Sequence, residues 1–117
     1  MSLSVTSRID DNFAILLLAG NLTLGPSLNI LRDTARDVLK TTNLSGLILN
    51  VGGVTKTDSA GLGELTVVYT LATRRKCPLR LVEVSPTLQK MLELTRLDGL
   101  LPSAPNLAAA KKELHSQ

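Results

Sequence analysis

The chain has 117 residues, 44% hydrophobic and 20% charged, and its thirteen Lys and Arg against ten Asp and Glu give a formal net charge of +3. That balance excludes a disordered chain and suits one compact domain, 1–117, large enough to bury a core without disulfide or metal support. Phe13 and Tyr69 are the only aromatics, so the stacking platforms of a single-strand binder are missing and no direct nucleic-acid contact is expected.

Cys77 is the only cysteine, which rules out an intramolecular disulfide and fits a reducing, cytoplasmic setting. The apolar run from Phe13 to Ala19 is too short to cross a bilayer and lacks the basic flank of a signal peptide, so no membrane insertion is expected.

In chain order, Leu3, Val5, Ser7 and Ile9 alternate, and Asp10-Asp11-Asn12 offers a turn into FAILLLAG, which predicts an antiparallel hairpin. From Pro26 to Thr42, the apolar positions Leu28, Leu31, Ala35, Val38 and Leu39 recur at helical spacing. Arg32, Asp33, Arg36, Asp37 and Lys40 fill the other side, and Pro26 suits the first turn. Leu47 to Val51 reads as a central strand. Leu62, Leu65, Tyr69 and Ala72 mark a second helix that Arg74-Arg75-Lys76 close and Pro78 ends.

Residues 79–84, LRLVEV, predict a further strand, and Ser85-Pro86 an N-cap followed by proline at the first helical position. The helix that follows is expected to bury Leu88, Met91, Leu92 and Thr95 and to stop at Gly99. Leu100 and Leu101 suggest a short edge strand, and Leu107 to Leu114 a last helix. The whole order predicts an α/β fold: a mixed sheet of four to five strands, parallel crossovers and about four covering helices.

This order sets TDSAGLG, residues 57–63, just beyond the carboxyl end of a central strand, where open α/β sheets place functional groups. Catalysis at Ser59 lacks a base, because the only histidine, His115, is third from the end. The nucleophile-elbow pattern fails at Thr57. Gly53 to Thr57 lacks the Gly-Lys-Ser/Thr ending of a phosphate loop, and Gly61-Leu62-Gly63 is followed by Thr66 where a dinucleotide fingerprint requires a small residue. One cysteine and one tail histidine do not form a metal cluster. The expectation is a chain that is not an enzyme and carries no cofactor and no metal.

A serine at a helix N-terminus, where N–H groups and the dipole favour an anion, is a good phosphoacceptor, and a phosphate there adds roughly 1.5 to 2 negative charges beside Asp58. Each glycine costs about 1 kcal/mol against alanine within a helix, so two in the first turn imply close backbone approach by a partner or by the neighbouring strand. Leu62, between them, is expected to protrude as an apolar contact. The residues alone leave two readings open, a helix cap made by Asp58 or Ser59 and a phosphoswitch.

The segments LILNVGGVTKTDSAGLGEL, LRLVEVSPTLQKMLELTRLDGLLP and GNLTLGPSLNILRDTA together resemble the STAS domain of bacterial anti-sigma factor antagonists over nearly the whole chain. The resemblance implies that Ser59 is the phosphoacceptor. It implies that Asp58, Ala60, Gly61, Leu62 and Gly63, with Thr57 and Thr23, form the docking surface. The implied partner is an anti-sigma factor that is also a serine kinase, bound by the unphosphorylated protein and released on phosphorylation; a scaffold or ligand-binding subunit, for an anion, nucleotide or lipid, of a larger signalling or transport assembly is the alternative. Monomer and weak dimer both stay open. Two positions depart from the family pattern by losing an acidic residue near the expected site: Thr23 and Asn50 stand where aspartate is usual.

Overall fold

The computed structural model describes residues 2–115. Strand β1 (Ser4–Asp10) returns as β2 (Phe13–Leu22) through Asp11 and Asn12, whose φ angles of 53° and 66° are the left-handed values a two-residue hairpin turn needs. Asp and Asn tolerate that region better than other side chains, which is why this turn forms where the sequence predicts it.

Helix α1 (Leu28–Val38) follows, burying Leu28, Leu31, Ala35 and Val38. Pro26 is not in its first turn: it lies in the preceding turn, where Gly25, Pro26 and Ser27 carbonyls accept the N–H groups of Leu28, Asn29 and Ile30. Strand β3 (Gly46–Thr57) lies parallel to β2 and runs well past the predicted end at Val51. The extension exists because β2 also runs on to Leu22, and the two stay paired through two register shifts, beyond Leu17 and Gly20.

Helix α2 (Ser59–Arg74), strand β4 (Leu79–Val82) and helix α3 (Pro86–Leu94) come next. α3 ends before Gly99: Thr95 is its C-cap and Arg96, at φ 60°, makes the left-handed turn. Leu88 and Leu92 are buried and Met91 partly so, whereas Thr95 is exposed and turns its hydroxyl back to the Met91 carbonyl at 2.8 Å. Leu100 and Leu101 are not a strand. They sit in a turn whose N–H groups bond to the Leu97 carbonyl, and Leu101 plugs the core. The edge strand is instead β5 (Ser103–Ala104), followed by α4 (Leu107–His115).

The sheet order is β1-β2-β3-β4-β5, with β1 antiparallel and the rest parallel. Alternation along the strands makes two cores. Leu16, Leu18, Leu47, Leu49 and Leu81 face α1, α2 and α3, while Phe13, Ile15, Ile48 and Val82 face α4. With few aromatics, leucine supplies most of the buried volume. Among the described residues no helix is long and apolar enough to cross a membrane.

Candidate functional site

The carboxyl edge of the parallel strands gathers three chain passages: the residues after β2 (Thr23 and Leu24), the β3–α2 junction, and the β4–α3 junction. Asp58 makes the first of these junctions. It is extended, at φ −123° and ψ −176°, and its Oδ1 accepts the N–H of Gly61 at 2.9 Å, which caps α2. Its Oδ2 accepts the N–H of Leu24 at 3.0 Å and so fastens the loop after β2 to the helix start. Those two N–H groups, Leu24's first, hold the Asp58 carboxyl below its ordinary pKa of 3.8 by stabilising the charged form.

The carboxylate offers a separate oxygen to each of two donors on different segments, and its use here decides the role of Ser59. The serine occupies the first helical position, is exposed, and its hydroxyl makes no hydrogen bond among the described residues. Of the two capping residues the sequence allows, Asp58 is the one that caps.

The two glycines differ. A Cβ on Gly61 would overlap the Leu22 carbonyl, because the first turn of α2 rests on the end of β2, where Leu22 O also accepts the Asp58 N–H at 3.3 Å. At Gly63 a Cβ would meet nothing within 4 Å, and the residue is exposed.

The expected docking residues therefore divide by depth. Ser59 and Gly63 are exposed; Thr23, Thr57, Asp58 and Ala60 are half-buried; Gly61 and Leu62 are buried. Leu62 does not protrude. At 3% exposure it is part of the core under the helix start, because the turn that hides Gly61 against β2 also points the next side chain inward.

Beside Asp58 lies a cleft of about 430 Å³, whose walls include Thr23, Val54, Thr57, Ser85, Leu88 and Met91. α3 thus contributes to the same edge. The sequence reading missed Leu24, which is 80% exposed while its backbone is fixed to Asp58. An apolar residue between Thr23 and the Gly25-Pro26 turn was the available signal.

One further tie stiffens the helix pair. Arg32 on α1 donates from Nε and Nη2 to both carboxylate oxygens of Glu64 at 2.9 Å each, so this residue of the polar side is tied to α2. The Glu64 carboxylate raises the Arg32 pKa.

Asn50 is a second departure from expectation. Its neighbours Leu49 and Val51 face α1, α2 and α3, so its own side chain faces the other side of the sheet. There it donates to Glu83 at 2.8 Å and accepts the Gly52 N–H at 2.9 Å, and six residues of β3 separate it from Thr57. The lost charge at Asn50 is remote from Ser59, whereas Thr23 lines the cleft. His115 is exposed and packs edge-on against buried Phe13, with ring centroids 5.0 Å apart, on the other side of the sheet from α2. It is out of reach of Ser59.

The geometry defines a small α/β module that presents one serine, an exposed leucine and a cleft at a strand-to-helix edge. Residues 5–102 match the profile of the family described as Mlab, STAS domain. The chain belongs to the STAS domain family. Solved structures agree at the level of the fold. An anti-sigma factor antagonist from Mycobacterium paratuberculosis is 19% identical at TM-score 0.75, covering 97% of this chain and 95% of that one. RsbS from Moorella thermoacetica, in a serine-to-glutamate form, is 18% identical at TM-score 0.81, covering 96% and 95%. The Bacillus cell fate determinant SpoIIAA in its phosphorylated form is 16% identical at TM-score 0.70, covering 93% and 98%.

Proposed function

We propose that this protein is an anti-sigma factor antagonist, a single-domain cytoplasmic regulator that binds an anti-sigma factor with serine kinase activity and lets it go when Ser59 is phosphorylated. The observation that carries the reading is the division of labour at the start of α2. Asp58 takes the cap, so the Ser59 hydroxyl is both exposed and uncommitted. The similarity in fold to antagonists, one of them solved in a phosphorylated form, supports the same reading.

The mechanism is electrostatic. In the neutral state the partner docks over Ser59, Gly63 and Leu24, where the absence of a side chain at Gly63 allows close approach and Leu24 offers an apolar anchor. A phosphate on Ser59 adds roughly 1.5 to 2 negative charges next to the Asp58 carboxylate, in a surface that was packed while neutral, and a desolvated like-charged pair drives dissociation. Thr23 and the cleft next to it extend the contact, and catalysis is left to the partner.

Incubation with ATP and the cognate kinase, followed by mapping of modified residues, is expected to place phosphate on Ser59. Ser59→Ala should bind the partner as the parent does, and Ser59→Asp should bind at least about tenfold more weakly. Equal binding by the two variants would contradict the electrostatic account.

A further inference from the structure

Strand β1 is the outer strand of the sheet, paired with β2 on one side and, among the described residues, with no strand on the other. The hairpin fixes which of its backbone groups look outward. With a two-residue turn, Asp10 and Phe13 close the ladder as a hydrogen-bonded pair, and bonding alternates from there, so Asp10, Arg8, Thr6 and Ser4 bond to β2. The N–H and C=O groups of Ile9, Ser7 and Val5 point away from the sheet. Leu3 continues the same series, and its N–H is taken by Ser27 Oγ at 3.4 Å, so the free edge ends at Val5.

We propose that this edge is a homodimer interface, in which β1 pairs antiparallel with β1 of a second copy about a two-fold axis at Ser7. That register sets Ser7 against Ser7 and Val5 against Ile9, so every outward group of the three residues finds a partner. Neighbouring registers do not. An axis at Thr6 sets Ile9 against Leu3, whose N–H is occupied, and an axis at Arg8 sets Val5 against Asp11, which is in the turn at φ 53°.

Side chains agree with the backbone. Val5, opposite Leu18, and Ile9, opposite Ala14, are on the face that α1 partly covers, and Ile9 is 48% exposed. The two-fold pairing stacks Ile9 of each copy on Val5 of the other. β1 has no proline, lysine or bulge, and its two charged residues, Arg8 and Asp10, alternate with Val5, Ser7 and Ile9 and so are on the opposite face. The product is one continuous sheet in which β2 separates the seam from β3 on each side, so both Ser59 sites remain open. The occupant is thus a second copy of this chain, and the inference does not depend on what binds at Ser59.

Sedimentation equilibrium of the full chain tests this, with Ser7→Pro and Ser7→Cys alongside. Proline at position 7 removes only an outward N–H and is tolerated on such an edge, so circular dichroism and melting should match the parent while dimer affinity falls at least about tenfold. Ser7→Cys brings two thiols across the axis at a Cα separation of about 5.5 Å, within disulfide range, and mild oxidation should cross-link the dimer. Thr6→Cys, off the axis and on the other face, should not cross-link, and buried Cys77 does not compete. A parent that stays monomeric up to roughly 1 mM, as it would if β1 serves another protein's strand, overturns the proposal. So does a dimer that Ser7→Pro leaves unchanged and Ser7→Cys fails to trap.

Discussion

Helices α2 and α3 leave neighbouring parallel strands and close with the same motif. In α2 the N–H of Lys76 bonds to Thr73 O and that of Cys77 to Ala72 O; in α3 the N–H of Arg96 bonds to Glu93 O and that of Leu97 to Leu92 O. Each uses a cation, Lys76 at φ 55° or Arg96 at φ 60°, at the left-handed position where glycine is usual, and where positive charge meets the negative end of the dipole. Their first turns differ. α3 is capped by Ser85, whose hydroxyl accepts the Leu88 N–H at 3.1 Å, and its first helical residue is Pro86. α2 is capped by Asp58, and its first helical residue is Ser59. Where α3 has leucine at the third helical position, α2 has Gly61 pressed on Leu22. α3 starts as a helix built for stability starts, whereas α2 has a less favourable composition and an exposed hydroxyl at its first position.

The largest effect that probes this contrast is expected from Gly61→Ala. The added methyl meets a backbone carbonyl rather than a flexible side chain, so the end of β2 or the whole first turn must shift. Overpacking of this kind costs about 3 kcal/mol, read as a lower denaturation midpoint in urea. Parent-like stability would show that α2 does not need the close approach.

The next effect sets the two caps against each other. Ser85→Ala should cost about 1 kcal/mol at any pH at which the chain folds. The Asp58 cap should instead be acid-sensitive. Its folded pKa is depressed below 3.8, so its contribution is complete above that unfolded value and is lost as pH falls through the lower folded one. In an acid titration followed by NMR, the amides of Leu24 and Gly61 should move together in that window while Leu88 stays. Movement of all three in parallel would indicate global acid unfolding instead of a local cap.

Much of this contrast was legible in the sequence. Ser85-Pro86 announces its helix because serine caps and proline's fixed φ act locally, and Asp11-Asn12 announces its turn for the same kind of reason. Apolar spacing places α1 and α2, since the face they bury repeats with the helix. What local pattern does not carry is set by partners distant in the chain. Gly52 and Gly53 read as the end of a strand, yet β3 continues because β2 lies beside it. Leu62 reads as a contact until the approach of α2 to Leu22 turns it inward, and Leu24 gains meaning only through its bond to Asp58, 34 residues away. Arg32 reads as one more residue of the polar side until Glu64 arrives from the next helix.

Smaller and opposite in sign is the expectation for Gly63→Ala. Nothing stands within 4 Å of the added methyl, so alanine should stabilise α2 by about 0.5 to 1 kcal/mol in the same urea experiment. Partner binding should weaken, because open space in the free protein is where the proposed partner's backbone approaches. A variant that is more stable and binds as well as the parent would leave Gly63 without a role in docking.

The smallest stability effect is the most discriminating. Ser59→Ala deletes a hydroxyl that makes no hydrogen bond among the described residues, at an exposed first-turn position where surface substitutions stay within about 0.5 kcal/mol. If Ser59 shared the capping with Asp58, the loss should approach that of Ser85→Ala. The two alanine variants, measured side by side, therefore separate a structural serine from a displayed one. A flat stability response at position 59, joined to loss of phosphate incorporation, is the pattern required of a residue that the fold does not use and the partner does.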